Sequence, residues 1–434
     1  MKILICPIST GIGFEIFESL KYYKNAEIFG ASSNTNCSFA KTLLDKIYFV
    51  ENAIDYKVFS ESIINLCIDL EITHVFPAHD DVCYYLSQMQ QEMKLPFSVI
   101  GQNFNINKVA RFKKETYEHL KKYDFIAKVY SKEPIETDFP MFCKPNRGAG
   151  SRGARIINNI SEYCEFVKNN KKENFVFMEL LTGKEYTIDC FSEKGKLKFV
   201  GPRERSQTLN GISSSSKVLQ DVDKDIFVIA NKLNSHFKFN GVWFFQLKYD
   251  RQNKLKLLEI APRIAGTMST YRANGINFAE LAVELSQSNN IEILNNNFED
   301  YKLIRKRSNI VNLDLSPEYI FVDFDDTIYF ENKTINYNLI GFLFKQINKK
   351  SKIVLITKHD NSLNNLKTKL IKLKIYNIFD KIIHINKTEK KSKYIKQYTN
   401  SKNAIFIDDS FSERKDVMSI GIKSFSPESI ELFY

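Results

Sequence analysis

The sequence predicts an α/β protein built from parallel sheets and helices, and three observations support this prediction. Short apolar runs alternate with helical patterns over residues 1–100, which favours a doubly wound parallel sheet. The next segment, from about 108 to 310, has longer strands and more highly charged helices. A fresh apolar strand, YIFVDFDD, then begins after Pro317 and predicts a further strand–helix domain.

Each element of the N-terminal part follows from its residue pattern. Apolar runs rich in β-branched and aromatic residues predict strands at 2–6, 26–32, 47–50 and 73–78. Helical spacing of apolar residues predicts helices near 13–23, 58–70 and 80–92. The segment STGIG at 9–13 lacks the GxGxxG spacing, so a tight strand-to-helix turn is preferred over a dinucleotide site.

The length of 434 residues exceeds what one hydrophobic core usually serves, so several domains are expected. A polar stretch at 286–300 precedes the strand after Pro317 and places a boundary near 310–316. We therefore expect three domains, at 1–105, 106–312 and 317–434.

Composition narrows the class of protein. No run of about 18 apolar residues occurs, so we expect no membrane span, and MKILICPISTGIGFEI predicts a first strand rather than a signal peptide. The seven cysteines are scattered without a CxxC pair, which predicts reduced thiols in the cytoplasm. Because the lysines behind the net charge of +11 are spread along the chain, nucleic-acid binding is the less favoured alternative.

A glycine-rich turn between two predicted strands is the main candidate for phosphate binding. In MFCKPNRGAGSRGARII (141–157), the first strand delivers Lys144. The turn that follows contains Gly148, Gly150, Ser151 and Gly153. Glycine permits the φ values and the close approach that bring backbone N–H groups against phosphates. The turn lacks GxxxxGK[ST], so it is not a Walker P-loop.

Three later segments extend this pattern: FVFMELLTGKEYTIDCF (175–191), GVWFFQLKYD (241–250) and KLLEIAPRIAGT (256–267). In order and spacing they resemble the ATP-grasp superfamily over about 1–305, especially its carbamoyl-phosphate-synthetase-like and amino-acid-ligase branches. The resemblance implies a pre-ATP-grasp domain with a doubly wound sheet, followed by an α+β ATP-grasp module. It also implies that Lys113 and Lys144 bind the phosphates of ATP and that the 148–153 turn covers them.

Further roles come from the same resemblance. Residues Glu179 to Leu181 would form the hinge whose backbone contacts adenine, and Glu185 would bind the ribose. Arg263 would face the γ-phosphate or an acyl-phosphate, where a fixed cation neutralises charge during phosphoryl transfer.

Gln246 and Glu259 would hold Mg²⁺, or alternatively Mn²⁺, because hard cations prefer oxygen ligands. Glu259 lies between apolar residues in LLEIAP, where an unpaired carboxylate would be costly to bury, so a metal explains it better than a generic ion pair. One residue departs from the family pattern: Ala261 stands in EIAPR where the family usually has Asn, so one metal ligand is missing.

Several assignments stay open. Lys108 or Lys114 could replace Lys113, and Glu185 could be a surface strand residue. A clamp for a carboxylate or phosphate could come from any of three arginines, each of which could equally form a surface salt bridge: Arg203, Arg205 and Arg272.

Two apolar strands near the C-terminus end in paired carboxylates. Asp323 and Asp325 follow one strand in YIFVDFDDT (319–327), and Asp408 and Asp409 follow another in AIFIDDSFSER (404–414). Adjacent carboxylates at a strand's carboxyl end are expected to be solvated or metal-bound, and open α/β sheets place their sites there. With KIVLITK (352–358), these segments resemble the motifs of the haloacid dehalogenase (HAD) superfamily over 317–434.

This second resemblance implies a Rossmann-like domain that uses Asp323 as nucleophile and Asp325 as general acid/base. Thr357 would hold a phosphoryl oxygen, and either Lys391 or Lys393 would supply a cation. Asp323, Asp325, Asp408 and Asp409 would bind Mg²⁺, with Glu413 as a further acid. Only about 30 residues separate successive motifs, too few for a large cap domain, so the site is expected to be open or covered by the first module.

The preferred function is an ATP-dependent carboxylate–amine ligase that acts through an acyl-phosphate, fused to a Mg²⁺-dependent phosphatase that acts through an aspartyl-phosphate. Its partners would be a small-molecule carboxylate, an amine acceptor and a phosphorylated metabolite, with a homodimer as an open alternative. Two other functions remain: a kinase with a phosphatase, or a non-catalytic nucleotide-binding scaffold in which Ala261 marks lost chemistry.

Overall fold

The computed structural model describes residues 1–36, 40–44, 46–148, 150, 152–209, 212–219, 221–296, 302–304, 316–359, 362–398 and 403–430. The chain forms two compact units, Met1–Arg305 and Lys306–Tyr434. Within the described residues, no helix has the length and apolar character needed to cross a membrane.

The first unit begins with a five-stranded parallel sheet. Its strands are β1 (Lys2–Cys6), β2 (Glu27–Ser32), β3 (Ile47–Phe49), β4 (His74–Pro77) and β5 (Ser98–Val99), in the order β3-β2-β1-β4-β5. The helices of this part are α1 (Gly11–Leu20), α2 (Tyr56–Asp69), α3 (Asp80–Glu92), α4 (Phe104–Arg111) and α5 (Lys113–Leu120). The order reverses direction between β1 and β4, and open α/β sheets commonly bind ligands beyond the carboxyl ends of two such strands.

Two of these helices begin two residues earlier than the sequence predicts, and α1 also ends earlier. Helix α1 starts at Gly11, because the Thr10 side chain accepts a hydrogen bond from Gly13 N at 3.0 Å. Helix α2 starts at Tyr56, because the Asp55 carboxylate accepts from the backbone N–H groups at its start. The capping side chains determine where these two helices begin, and the spacing of apolar residues in the sequence does not reveal those positions.

The rest of the first unit contains two antiparallel sheets. The smaller has three strands, β6 (Met141–Pro145), β7 (Arg155–Ile157) and β8 (Phe175–Glu179), in the order β7-β6-β8, with α6 (Ile160–Asn169). The larger has six, β9 (Glu185–Glu193), β10 (Lys196–Leu209), β11 (Ile212–Val218), β12 (Gly241–Tyr249), β13 (Leu255–Ala261) and β14 (Lys302–Ile304), in the order β13-β12-β9-β10-β11-β14. Its helices are α7 (Asp225–Phe237), α8 (Ser269–Arg272) and α9 (Phe278–Ser286).

The larger sheet is held by a core on the face that packs against α7. Trp243 is fully buried there and stacks on Phe239 with ring centroids 4.1 Å apart. Ile229 and Leu233 of α7 belong to the same cluster. Side chains alternate between the two faces of β12, and its residues Phe245 and Leu247 are buried in this core. The Gln246 side chain between them therefore points to the opposite face of the sheet.

The second unit contains a five-stranded parallel sheet. Its strands are β15 (Tyr319–Val322), β16 (Lys352–Thr357), β17 (Lys381–His384), β18 (Ala404–Ile407) and β19 (Lys423–Phe425), in the order β17-β16-β15-β18-β19. Its helices are α10 (Tyr337–Asn348), α11 (Leu363–Lys372), α12 (Lys391–Tyr398), α13 (Phe411–Met418) and α14 (Pro427–Ile430). The carboxyl ends of the adjacent central strands β15, β16 and β18 thus lie at one edge of the sheet.

Candidate functional sites

A cavity of about 380 Å³ lies between the two antiparallel sheets of the first unit. Nine residues that the sequence predicts for nucleotide or metal binding line it: Lys113, Lys144, Gly148, Gly150, Glu179, Leu181, Glu185, Gln246 and Glu259. Apolar side chains such as Phe142, Met178 and Leu258 complete the wall. An apolar wall with a few polar groups is typical of small-molecule sites of this size.

Lys144 brings a buried ammonium group to this cavity. Its Nζ donates to the Tyr117 hydroxyl at 2.7 Å and to the Leu258 carbonyl at 2.9 Å. Burial lowers the pKa of Lys144 to about 8, against the opposing charge of Glu259. An anionic ligand would compensate the desolvated ammonium, because an opposite charge favours the protonated form.

Of the three alternative phosphate-binding lysines, Lys108, Lys113 and Lys114, only Lys113 lines the cavity. Its Nζ donates to the Gly148 carbonyl at 3.2 Å, and Arg111 Nη1 donates to the same oxygen at 3.1 Å. Burial lowers the pKa of Lys113. The side chain of Lys114 instead donates to the Glu173 carbonyl, and Lys108 is exposed.

The glycine-rich turn adopts backbone conformations that favour glycine. Gly150 has φ +63° and Gly153 has φ +73°, both in the left-handed region. Gly150 lines the cavity, whereas Gly153 is not among its lining residues. Ser151, which the sequence predicts for phosphate binding, lies outside the described residues.

Gln246 and Glu259 form the polar side of the cavity, because β12 and β13 pair with these residues directly opposite each other. In one orientation of the Gln246 amide, its nitrogen donates to Glu259 Oε1 at 3.1 Å and its oxygen accepts from Arg205 Nη1 at 3.2 Å. In the opposite orientation, the Gln246 amide oxygen faces the Glu259 carboxylate. These two oxygen ligands suit Mg²⁺.

Glu185 also belongs to this polar side and is only partly exposed. It forms an ion pair with Arg205, and Lys248 Nζ lies 3.8 Å from its Oε2. Glu179, at the end of β8, accepts a hydrogen bond from Lys128 N through its Oε1 at 2.7 Å. This hydrogen bond occupies the Glu179 carboxylate. The segment from Glu179 to the buried Leu181 borders the cavity.

Arg263 lines a second, smaller cavity of about 50 Å³ that adjoins the first. Its guanidinium donates to both oxygens of Asp80, at 2.6 and 2.9 Å. Burial would raise the pKa of Asp80, but the charge and hydrogen bonds of Arg263 outweigh it and hold that pKa below its usual value. The cation predicted to face a phosphate is therefore anchored by a carboxylate of α3.

The acidic pair Asp80 and Asp81 belongs to the site and was not predicted from the sequence. Asp81 accepts from Arg111 Nε at 2.8 Å and from Arg147 Nε at 2.9 Å, so it connects α3 to the glycine-rich turn. The available signal was the sequence HDD at 79–81, one residue after β4, at the carboxyl end of a strand beside the point where the sheet order reverses.

The other two candidate arginines are engaged outside these cavities. Arg203 forms a fully buried ion pair with Asp189 at 2.6 Å, and Arg272 Nη1 lies 3.2 Å from Glu15 Oε1. Among the three arginines, only Arg205 lines the larger cavity.

In the second unit, a lysine and two aspartates form a buried cluster at the carboxyl edge of the sheet. Lys391 Nζ, at the start of α12, lies 2.6 Å from Asp323 Oδ1 and 2.6 Å from Asp408 Oδ2. Burial raises the pKa of Asp323 to about 7; the positive charge of Lys391 opposes this rise and the negative charge of Asp408 adds to it. Lys393, the alternative cation, is exposed and lies 3.5 Å from Glu389.

Asp323, Asp408 and Asp409 can direct carboxylate oxygens to within 4.8 Å of one another. Among the described residues, no other group of three or more His, Cys, Asp or Glu side chains has this proximity. Three carboxylates suit a hard divalent cation. Asp409 also accepts from Thr327 Oγ1 at 3.2 Å.

The remaining predicted residues of this unit lie around the cluster. Asp325 is outside the metal-ligating group, because its Oδ2 lies 2.6 Å from His359 Nδ1, a contact the sequence did not suggest. Thr357 is buried at the end of β16. Glu413 pairs with Lys358 at 2.6 Å instead of joining the aspartates.

Comparison with known proteins gives a family match within the first unit. Residues 171–304 match a family model described as ATP-grasp in the biosynthetic pathway with Ter operon. No curated protein matches the chain. The family model ends before the second unit, so it says nothing about the aspartate cluster.

Three solved structures illustrate the similarity. The biotin carboxylase domain of Hydrogenobacter thermophilus 2-oxoglutarate carboxylase, solved as a dimer with MgADP, ADP and bicarbonate, has 13% identity and a TM-score of 0.54; the match covers 69% of this chain and 72% of that one. The L-amino acid ligase of Bacillus licheniformis has 16% identity and a TM-score of 0.52; the match covers 65% of this chain and 73% of that one. The N5-carboxyaminoimidazole synthetase of Staphylococcus aureus, complexed with ADP, has 14% identity and a TM-score of 0.55; the match covers 67% of this chain and 78% of that one. At these identities the likeness concerns the fold alone, and the ATP-grasp family match covers residues 171–304 of the chain.

Proposed function

We propose that the first unit is an ATP-dependent carboxylate–amine ligase that acts through an acyl-phosphate. The main support is a single cavity lined by the buried Lys144, by the partly buried Lys113 and by Gln246 opposite Glu259. Cations suited to phosphates thus lie in the same cavity as oxygen ligands suited to Mg²⁺. The structural neighbours include an L-amino acid ligase and proteins solved with ADP.

Each residue of the cavity has a role in the first step. Leu181 and the apolar wall exclude water from the adenine ring of ATP, and the backbone from Glu179 onward offers hydrogen-bonding groups to that ring. Lys113 and Lys144 neutralise phosphate charge. Gln246 and Glu259 would hold Mg²⁺, which when bound offsets the charge that develops during phosphoryl transfer.

We propose a second activity, Mg²⁺-dependent phosphate hydrolysis through an aspartyl-phosphate, for the second unit. The observation that favours it is the Asp323–Lys391–Asp408 cluster. Asp323 would accept the phosphoryl group, and Lys391 would orient that carboxylate and neutralise charge. Asp325, held by His359, would transfer the proton to the leaving group.

Calorimetric titration with MgATP tests the nucleotide site. We expect the wild type to bind, Lys144→Ala to lose binding and Asp323→Asn to bind as the wild type does, because Asp323 belongs to the other unit. Equal binding by Lys144→Ala would contradict the assignment of the site.

Product analysis separates the ligase from a kinase. Only a ligase makes ADP release depend on an amine as well as a carboxylate, so mass spectrometry of reactions with and without amine would reveal an amide.

The phosphatase activity is tested separately with p-nitrophenyl phosphate. The Asp323→Asn variant should leave this compound unhydrolysed, whereas the Lys144→Ala variant should hydrolyse it as the wild type does.

A further inference from the structure

We infer that the smaller cavity beside the nucleotide site binds the amino group of the acceptor, and that Asn107 Oδ1 accepts a hydrogen bond from it. This inference rests on the proposed ligase activity. The cavity, of about 50 Å³, shares Lys113, Gly148 and Glu259 with the larger one. It therefore adjoins the end of the nucleotide site where the phosphate-binding residues lie, and its volume suits an amino group with its first carbon.

Asn107 lines this cavity and carries an unused acceptor. The residue is only 3% exposed, and its Nδ2 donates to the carbonyls of Gln102 at 2.7 Å and Asn103 at 3.2 Å. Two carbonyl acceptors fix the amide orientation, since only the nitrogen can donate to them. The remaining atom, Oδ1, is buried and has no hydrogen-bond partner. A buried acceptor without a donor is costly, so a donor from a ligand is expected there.

The charges in the cavity wall favour a neutral donor. Arg263 is neutralised by Asp80, and Arg111 donates to Asp81 and to the Gly148 carbonyl. The two remaining charges in the wall, on Lys113 and Glu259, are of opposite sign. An amine must be neutral to act as a nucleophile, and a wall with three cationic and two anionic side chains disfavours a protonated amine, so a neutral N–H donor to the amide oxygen suits this cavity.

The proposed hydrogen bond is compatible with the reaction. The amine nitrogen forms a bond to the acyl carbon, and the bond between that carbon and the phosphate oxygen breaks. Phosphate leaves with the electron pair and takes up the proton that the nitrogen loses. Because Asn107 Oδ1 accepts one N–H, the nitrogen lone pair stays available for attack.

Hydroxylamine, a small amine that is neutral near neutral pH, is the probe for this site. It is titrated calorimetrically into the full-length protein saturated with MgADP. We expect one binding site, weakened at least tenfold in Asn107→Leu. Ala110→Val, which narrows the same cavity from α4 and leaves Asn107 in place, should weaken binding similarly. Lys108→Ala, exposed on the same helix, is the matched control and should bind as the wild type does.

MgADP titrations of all four proteins distinguish a failure of the amine site from a failure of the nucleotide site. Equal MgADP affinity shows that the variants are folded and that the nucleotide site is intact. A wild type that does not bind MgADP overturns both the nucleotide site and the amine site. If MgADP binds normally but hydroxylamine does not bind, the amine site alone is overturned. The same holds if hydroxylamine binds both cavity variants as tightly as the wild type, because the cavity then holds only water.

Discussion

At Lys144, the burial of a single ammonium group links nucleotide binding to pH. Its pKa in the free protein is about 8, and a bound phosphate raises that pKa by favouring the charged form. Binding therefore takes up a proton, and the affinity must fall as the pH rises through this value. We expect MgADP to bind about tenfold more weakly at about pH 9 than at about pH 7, as measured by calorimetry.

The control for this prediction is Lys144→Arg, whose guanidinium stays charged over the whole range. Its affinity, whatever its absolute value, should change little between the two pH values. A wild type with constant affinity, or an arginine variant with the same fall, would show that another group causes the pH dependence.

Arg203 and Asp189 form an ion pair whose side chains are 1% and 0% exposed. Removal of one partner leaves a buried charge uncompensated, so Arg203→Met should lower the free energy of unfolding by about 3–5 kcal/mol in urea denaturation. The double variant Arg203→Met/Asp189→Leu should recover much of this loss, because it removes both charges. A single variant as stable as the wild type would mean that water reaches the carboxylate.

The strands and helices of the first 100 residues lie close to the positions that their residue patterns predict, because burial on one or both faces imposes those patterns. Glu259 could be identified for a similar reason, since a carboxylate between apolar residues requires a specific partner. Asp80 could not, because its role depends on Arg263, which is 183 positions away in the chain.

The choice between Lys391 and Lys393 illustrates the same limit at an element boundary. Both lie in one lysine-rich run, and their types and spacing do not distinguish them. Helix α12 begins at Lys391, which directs that side chain between two aspartates and leaves the other lysine exposed. Only the packing of the helix start against β15 and β18 decides the assignment.

The connection between β8 and β9 gives a prediction at the scale of the element. A β-carbon at Gly183 would lie 2.5 Å from Tyr249 Cβ, and Gly183 N donates to the Tyr249 carbonyl at 3.0 Å. Gly183→Ala should therefore separate the connection from β12 and lower the free energy of unfolding by about 1–3 kcal/mol. The matched control is Gly11→Ala in the first turn of α1, where a β-carbon meets no atom within 4 Å and stability should be unchanged or slightly higher. Equal stability of the two variants would contradict the close contact.

On the scale of the whole molecule, the chain contains two compact units with separate hydrophobic cores. The first unit includes every residue that lines the nucleotide cavity, and the second includes the aspartate cluster. Each core is built from contacts within its own unit. We therefore expect a protein that ends at Arg305 and one that begins at Lys306 to fold independently.

MgADP provides the readout for this independence. A ligand that binds only the folded form stabilises it by about 2.7 kcal/mol at a concentration of 100 times Kd, so the unfolding temperature of the first-unit protein should rise in scanning calorimetry. The second-unit protein should unfold at the same temperature with and without MgADP, because no residue of the nucleotide cavity belongs to it. Lys144→Ala in the first-unit protein should abolish the rise, which separates specific binding from a general effect of Mg²⁺. A rise in the second-unit protein would place a nucleotide site among its aspartates. A first-unit protein that folds without responding to MgADP would contradict the assignment of the nucleotide site to this cavity.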